Sequence, residues 1–258
     1  MTRHHVPDDD GTAARPKRHR WRWIAGLLVA AGLFGFFGVP YIYIHFINKP
    51  EKALSFEELD KQRAVSDSTV GGGATTLVEA AGGSDVSGSW KVVAPSTAGY
   101  RVKEVLNGQS ADGVGRTSSV EGTVEINGST ITDASLSVDL TTVTSDQVRR
   151  DAQFQGRIMN TAEFPVALFD LTEPIELGTL PAEGTEVSVT ANGTLSLHGV
   201  DKPVAIAMKA RRRGAAIEVS GSYPLVFADF GIDNPGVGGF VTTEDNGILE
   251  FLVTLARS

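Results

Sequence analysis

The chain has 258 residues, 41% hydrophobic and 21% charged, with a net charge of −8 and no cysteine. That length and composition give one globular domain beyond any tail or anchor. The missing cysteines exclude disulfides, thiol nucleophiles, thiolate metal sites and a cysteine-linked lipid anchor. Residues 1–48 carry 6 basic and 3 acidic groups, residues 49–88 carry 4 and 7, and residues 89–258 carry 13 and 21, so the acidic main body is not expected to bind nucleic acid or anionic headgroups.

Residues 1–22 form a polar, basic tail. His4-His5 beside Asp8-Asp9-Asp10 reads as solvated chain more readily than as a metal grip. From Ile24 to Ile47 no Asp, Glu, Lys or Arg occurs. At ~1.5 Å per residue this run makes a helix long enough to cross a hydrocarbon core of about 30 Å. A transmembrane helix is therefore expected over 23–48, kinked at Pro40, with Trp21, Trp23, Tyr41 and Tyr43 at the interfaces and His45 near the outer one. Arg15, Lys17, Arg18, Arg20 and Arg22 precede the span and only Lys49 and Lys52 closely follow it. The positive-inside bias then leaves the N-terminus in the cytoplasm and the body outside. A cleaved signal peptide is the competing reading. The apolar run exceeds the usual h-region, and no A-x-A-like site follows it at Ile47-Asn-Lys-Pro-Glu.

Residues 49–88 divide in two. Over 51–65 the helix-formers Glu-Lys-Ala-Leu-Ser-Phe-Glu-Glu-Leu-Asp, with Leu54, Phe56 and Leu59 in loose helical spacing, predict a marginal juxtamembrane helix. Over 66–88, Gly71-Gly72-Gly73 and Gly82-Gly83-Ser84 predict a flexible spacer. No Gly-Lys-Ser/Thr follows those glycines, so they are not a phosphate loop.

Residues 89–258 alternate with period two. Leu136, Val138 and Leu140 alternate with Ser137, Asp139 and Thr141; Val187, Val189, Leu195 and Leu197 alternate with polar or small residues; Val204, Ile206 and Met208 with Ala; and Leu249, Phe251, Val253 and Leu255 run to the end. These are antiparallel strands with one wet face. A hairpin at Asn192-Gly193 would split the apolar set between faces, so 186–198 reads as one strand. A loop at Val200-Asp201, pairing Gly199 with Lys202, puts Leu195, Leu197, Val204, Ile206 and Met208 on one side. Arg211-Arg212-Arg213 before Gly214 reads as a solvated turn.

One helix interrupts the strands. It is capped by Thr144-Ser145-Asp146, carries a weak stripe of Val148, Ala152 and Phe154 or Gln155, and ends before Phe164-Pro165. The fold class is mainly β: a closed antiparallel barrel, which at eight strands holds side chains or one slim ligand, with one or two short helices and a transmembrane helix in front.

Several ordered motifs carry a family resemblance: Gly99-Tyr-Arg-Val-Lys-Glu; Val120-Glu-Gly-Thr-Val-Glu-Ile; Val138-Asp-Leu-Thr-Thr-Val-Thr-Ser with Arg150-Asp151; Glu163-Phe-Pro-Val-Ala-Leu-Phe; Ala191-Asn-Gly-Thr-Leu-Ser-Leu-His-Gly-Val-Asp-Lys-Pro-Val; and Ala228-Asp-Phe-Gly-Ile. Over about 89–258 the chain resembles the YceI-like family. The resemblance implies an extended lipocalin-like barrel whose apolar interior binds a long isoprenoid-type lipid without catalysis. Two features depart from the family. Its members usually place a His shortly after the first strand's aromatic, a place that here falls near Glu104, and they are usually secreted with a cleaved signal, whereas a tether is expected here. Arg150-Asp151 reads more readily as a loop-ordering pair than as a ligand site.

The candidate ligand-binding sleeve is Val102, Val124, Phe169, Leu195, Leu197, Ile206, Met208, Phe227 and Phe251. The small residues Ala167, Ala191, Gly193 and Gly221 leave room that Phe154, Phe169, Phe227 and Phe251 line. No cofactor or metal is expected, and the partners are an isoprenoid or other long-chain lipid and the membrane. The competing function is a cell-envelope scaffold or interaction module with a filled barrel, working through loops such as Asp233-Asn-Pro-Gly-Val-Gly-Gly. An enzyme is not expected. Of the 5 His, His4, His5, His19 and His45 fall in the tail and span, leaving only His198 in the body, where the strand register turns it outward with Ser196. No Ser-His-Asp, HExxH or paired-His motif can be assembled from it. Asp139 and Asp170 likewise fall on the wet face.

Overall fold

A computed structural model describes residues 27–34, 52–69, 85–106, 109–178, 182–236 and 241–258. The chain divides into two compact units, Met1–Ile47 and Asn48–Ser258. In the first, residues 27–34 are helical, with Leu27, Leu28, Val29, Leu33 and Phe34 exposed. The rest of the expected span, the basic tail and residues 70–84 of the spacer lie outside the described residues. Among the described residues no helix is long and apolar enough to cross a membrane.

The second unit is an antiparallel sheet closed on itself. Its strands are β1 (Gly88–Leu106), β2 (Gln109–Thr117), β3 (Val120–Asn127), β4 (Thr130–Asp139), β5 (Thr144–Ser145), β6 (Val166–Leu171), β7 (Ile175–Glu176), β8 (Val187–Leu197), β9 (Val200–Arg213), β10 (Ala216–Val226), β11 (Val241–Thr243) and β12 (Asn246–Arg257). Eight of them follow one another as β1-β3-β4-β6-β8-β9-β10-β12, and pairing of β12 with β1 closes the barrel. Closure gives each of these eight strands a paired neighbour on both sides. The 19-residue β1 bends at a bulge between Val93 and Thr97, so that its first part pairs with β3 and its second with β2. We call the Leu106 end of β1 the upper end of the barrel and the Gly88 end the lower.

At the lower end, Trp90 donates its indole N–H to the Val86 carbonyl at 2.9 Å and lies beneath the Arg257 guanidinium. Val86 is itself buried, so the barrel's packing begins before the expected boundary at residue 89. At the upper end, α2 (Val148–Gln153) runs into a wider helical turn over Phe154–Ile158. Here the expected apolar stripe is corrected: Val148 is 84% exposed, and the plug is made by Phe154, Ile158 and Met159 from the turn beyond. Val148 at the helix start faces solvent, while the turn beyond supplies the apolar plug.

The β8–β9 hairpin keeps the expected faces but not the expected loop. Leu197 pairs with Val200, and the turn is His198-Gly199, at φ 52° and 76°. A turn at Val200-Asp201 would put a β-branched residue in the left-handed region; His198-Gly199 supplies a tolerant residue and a glycine instead. The pairing slides by an even number of positions, so Leu195, Leu197, Val204, Ile206 and Met208 still share the inner face.

Helix α1 (Phe56–Thr69) is not marginal but docked on the barrel's outer wall. Ser55 accepts from the Glu58 amide at 3.4 Å as an N-cap, and Glu57 and Glu58 complement the helix dipole. Phe56 and Leu59 are buried against Leu252, and the Arg211 guanidinium lies 4.4 Å from the Phe56 ring centroid. The expected solvated turn at Arg211–Arg213 is therefore overturned. Arg211 is 8% exposed within β9, donating to Glu218 at 2.7 Å and to Asp60 of α1 at 2.7 and 2.9 Å. The turn comes later, at Gly214. Glu218, 0% exposed, also receives Arg63 of α1, and Arg213 reaches Asp60.

Candidate functional site

Alternation sends one residue in two of each barrel strand inward, and the inward set leaves a space. A cavity of about 290 Å³ runs through the barrel, reaching from Val86, Ile126 and Val187 below to Phe154, Phe227 and Ile232 above. All nine sleeve candidates line it: Val102 from β1, Val124 from β3, Phe169 from β6, Leu195 and Leu197 from β8, Ile206 and Met208 from β9, Phe251 from β12, and Phe227 from the 3₁₀ turn Phe227–Phe230. Ala167 and Ala191 line it too.

Gly193 and Gly221 do not leave free room. A Cβ on Gly193 would overlap the Phe169 ring, and one on Gly221 would overlap the Phe251 ring. Each glycine gives a neighbouring strand's phenyl ring a place to lie flat against the wall. The void is thus set by ring placement rather than by the glycines themselves.

Sequence reasoning passed over the polar end of this cavity. Tyr100 and Glu104 follow the same inward parity as Val102, and that parity was the signal available to find them. Arg150, from α2, donates to Glu104 at 3.2 Å and also pairs with Asp146. Tyr100 stacks on Phe154 with ring centroids 5.0 Å apart and planes 12° apart. Burial pushes the Tyr100 phenol well above its ordinary range, against a smaller opposing effect of Arg150, so it stays protonated. Asp151 has the loop-ordering role expected of it: it accepts from the Ser145 amide and hydroxyl at 2.8 and 2.6 Å.

His198 is not the solvated strand residue expected. It sits in the turn, half-buried, with Nδ1 3.1 Å from the Phe230 carbonyl and its ring edge-on to Phe164. It braces two upper loops outside the cavity. Asp139 accepts from the Thr141 amide at 2.9 Å to cap a helical turn, and Asp170 is exposed. Asn234 is tied to Thr243 and Asp245, while 237–239 of the loop proposed for interaction lie outside the described residues. Among the described residues no three His, Asp or Glu side chains gather as metal ligands would.

A closed antiparallel barrel with an apolar interior and a plugged upper end defines a lipocalin-like protein. The YceI-like domain model matches residues 90–255, and the chain belongs to that family. Among solved structures it is similar to a polyisoprenoid binding domain from Saccharophagus degradans implicated in plant cell wall breakdown. That likeness has 16% identity and a TM-score of 0.53, over 66% of this chain and 98% of that one. It is also similar to Burkholderia cenocepacia BcnA, at 18% identity and a TM-score of 0.48, over 62% and 96% of the two chains. Comparison with curated proteins returned no match.

Proposed function

We propose that this chain is a membrane-tethered, extracytoplasmic barrel that binds or carries an isoprenoid-type lipid in its interior, without catalysis. The cavity carries the reading. Well-packed interiors leave few voids larger than a water, and about 290 Å³ is many times the ~10–15 Å³ one water needs. A void walled by Val, Leu, Ile and Phe offers water few partners, whereas a branched apolar chain entering it gains roughly 25 cal/mol per Å² of apolar surface removed from solvent. The Saccharophagus degradans domain of the same fold is a polyisoprenoid binder, which agrees with a long, slim ligand. The tether rests on the charge-free run from Ile24 to Ile47 behind five basic residues, and on the exposed apolar helix at 27–34.

Ala191 tests this. It is 1% exposed and lines the cavity, and Ala191→Leu adds bulk where the ligand chain would lie. The variant should lower affinity for a fluorescent polyprenyl probe at least about tenfold, since loss of even ~1.4 kcal/mol of contact does so, with its circular dichroism unchanged. Equal uptake by the two folded proteins would contradict the sleeve and favour the filled-barrel scaffold.

A further inference from the structure

At the upper end of the cavity Tyr100, Glu104 and Arg150 meet, and their charge balance bears on what head a lipid could carry there. Arg150 is flanked by two carboxylates, Glu104 at 3.2 Å and Asp146. Its positive charge is already matched, and Arg150 together with Glu104 and Asp146 is net negative. Glu104 and Arg150 side chains are 13% and 15% exposed, so an incoming charge would meet them with little solvent between. The Tyr100 hydroxyl has no hydrogen-bond partner among the described residues.

Strand β2 holds these groups in place. A Cβ on Gly113 would overlap the Glu104 carboxylate and one on Gly115 the Tyr100 ring, so both side chains lie directly against its backbone. The arrangement offers one phenolic donor and one carboxylate acceptor to a head lying between them. A phosphate there would face Glu104 and would have to displace it from Arg150. A head with a hydroxyl or carbonyl oxygen can accept from Tyr100, and a hydroxyl can donate to Glu104, without separating any ion pair.

Resting on the lipid-binding reading above, we infer that the barrel selects isoprenoid lipids with an uncharged, hydrogen-bonding head over their phosphorylated counterparts, with Tyr100, Glu104 and Arg150 sorting the two.

The test is calorimetric titration of the full chain in detergent with geranylgeraniol, geranylgeranyl phosphate and a headless branched hydrocarbon of matching length. Geranylgeraniol should bind about tenfold or more tighter than the phosphate and several-fold tighter than the hydrocarbon, as one or two net hydrogen bonds would give. Glu104→Gln should narrow the prenol-to-phosphate ratio several-fold, and Tyr100→Phe the prenol-to-hydrocarbon ratio. Should Glu104→Gln fail to fold, Asp146→Asn, at a carboxylate 35% exposed, should shift the first ratio in the same direction. Phosphate binding as tight as prenol in the wild-type chain, or no response of the ratio to removing a carboxylate, overturns the inference while leaving lipid binding intact. If none of the three ligands binds, lipid binding itself falls and this inference with it.

Discussion

Glu218 shows how far a residue's role can lie from its sequence neighbourhood. It is 0% exposed, yet it stands on the outer row of β10, between Arg211 of β9 and Arg63 of α1. The alternation of Ile217 and Val219 places it outward, and outward reads as wet until something covers it. The cover is a helix about 150 residues earlier in the chain, beyond the reach of periodicity, and the same cover made the Arg211–Arg213 run look like a solvated turn. Glu218→Ala should cost about 3 kcal/mol or more in urea unfolding, because it leaves Arg211 buried with one carboxylate fewer. A change under ~0.5 kcal/mol would mean that water reaches the pair. Inward residues were more legible, since Val102, Phe169, Ile206 and Phe251 follow from alternation alone. The fit of Phe169 over Gly193 and Phe251 over Gly221 was not, because rings from neighbouring strands meet those glycines only once the register is fixed.

Among the elements, α1 is the least expected. Its capping signal, Ser55 followed by Glu58, is present in the sequence, and Phe56 and Leu59 stand one turn apart. What was not legible is the surface they meet, Leu252 flanked by buried charge. Leu54 extends the contact, its amide 3.3 Å from Glu250 and its carbonyl 3.2 Å from the Ser220 hydroxyl. Phe56→Ala removes both the apolar contact and the cation–π partner of Arg211, a loss of up to about 3–5 kcal/mol for a buried Phe. Amide exchange across 56–69 should then quicken while β8–β10 keep their protection, and unchanged exchange in α1 would refute docking through this residue. The helix also has a defined acid limit. Hydrogen bonding from Arg211 holds the Asp60 carboxyl below its ordinary value, against a smaller opposing effect of burial. A depressed carboxylate contributes its stability above the unfolded value of about 3.9 and loses it as pH falls through the lower folded value. Protection of α1 should therefore hold from neutrality to about pH 5 and decline only below ~4.

For the whole molecule, the closed eight-stranded barrel was legible because a one-sided sheet writes its period directly into the chain, and an even slip of the β8–β9 pairing left every face unchanged. The cavity was not legible. Whether inward side chains meet across the axis depends on barrel radius and rotamers, which a list of inward residues does not contain. The charge-free run at 24–47 behind a basic cluster and the apolar interior of the barrel together make one account, a lipid-binding sleeve held at a membrane. Native mass spectrometry of the full chain extracted from its own membranes tests that account most directly. It should show the protein carrying an isoprenoid-type lipid, one per chain, released by Ala191→Leu. A folded chain that emerges from the membrane at its bare mass, with no bound lipid, would contradict it.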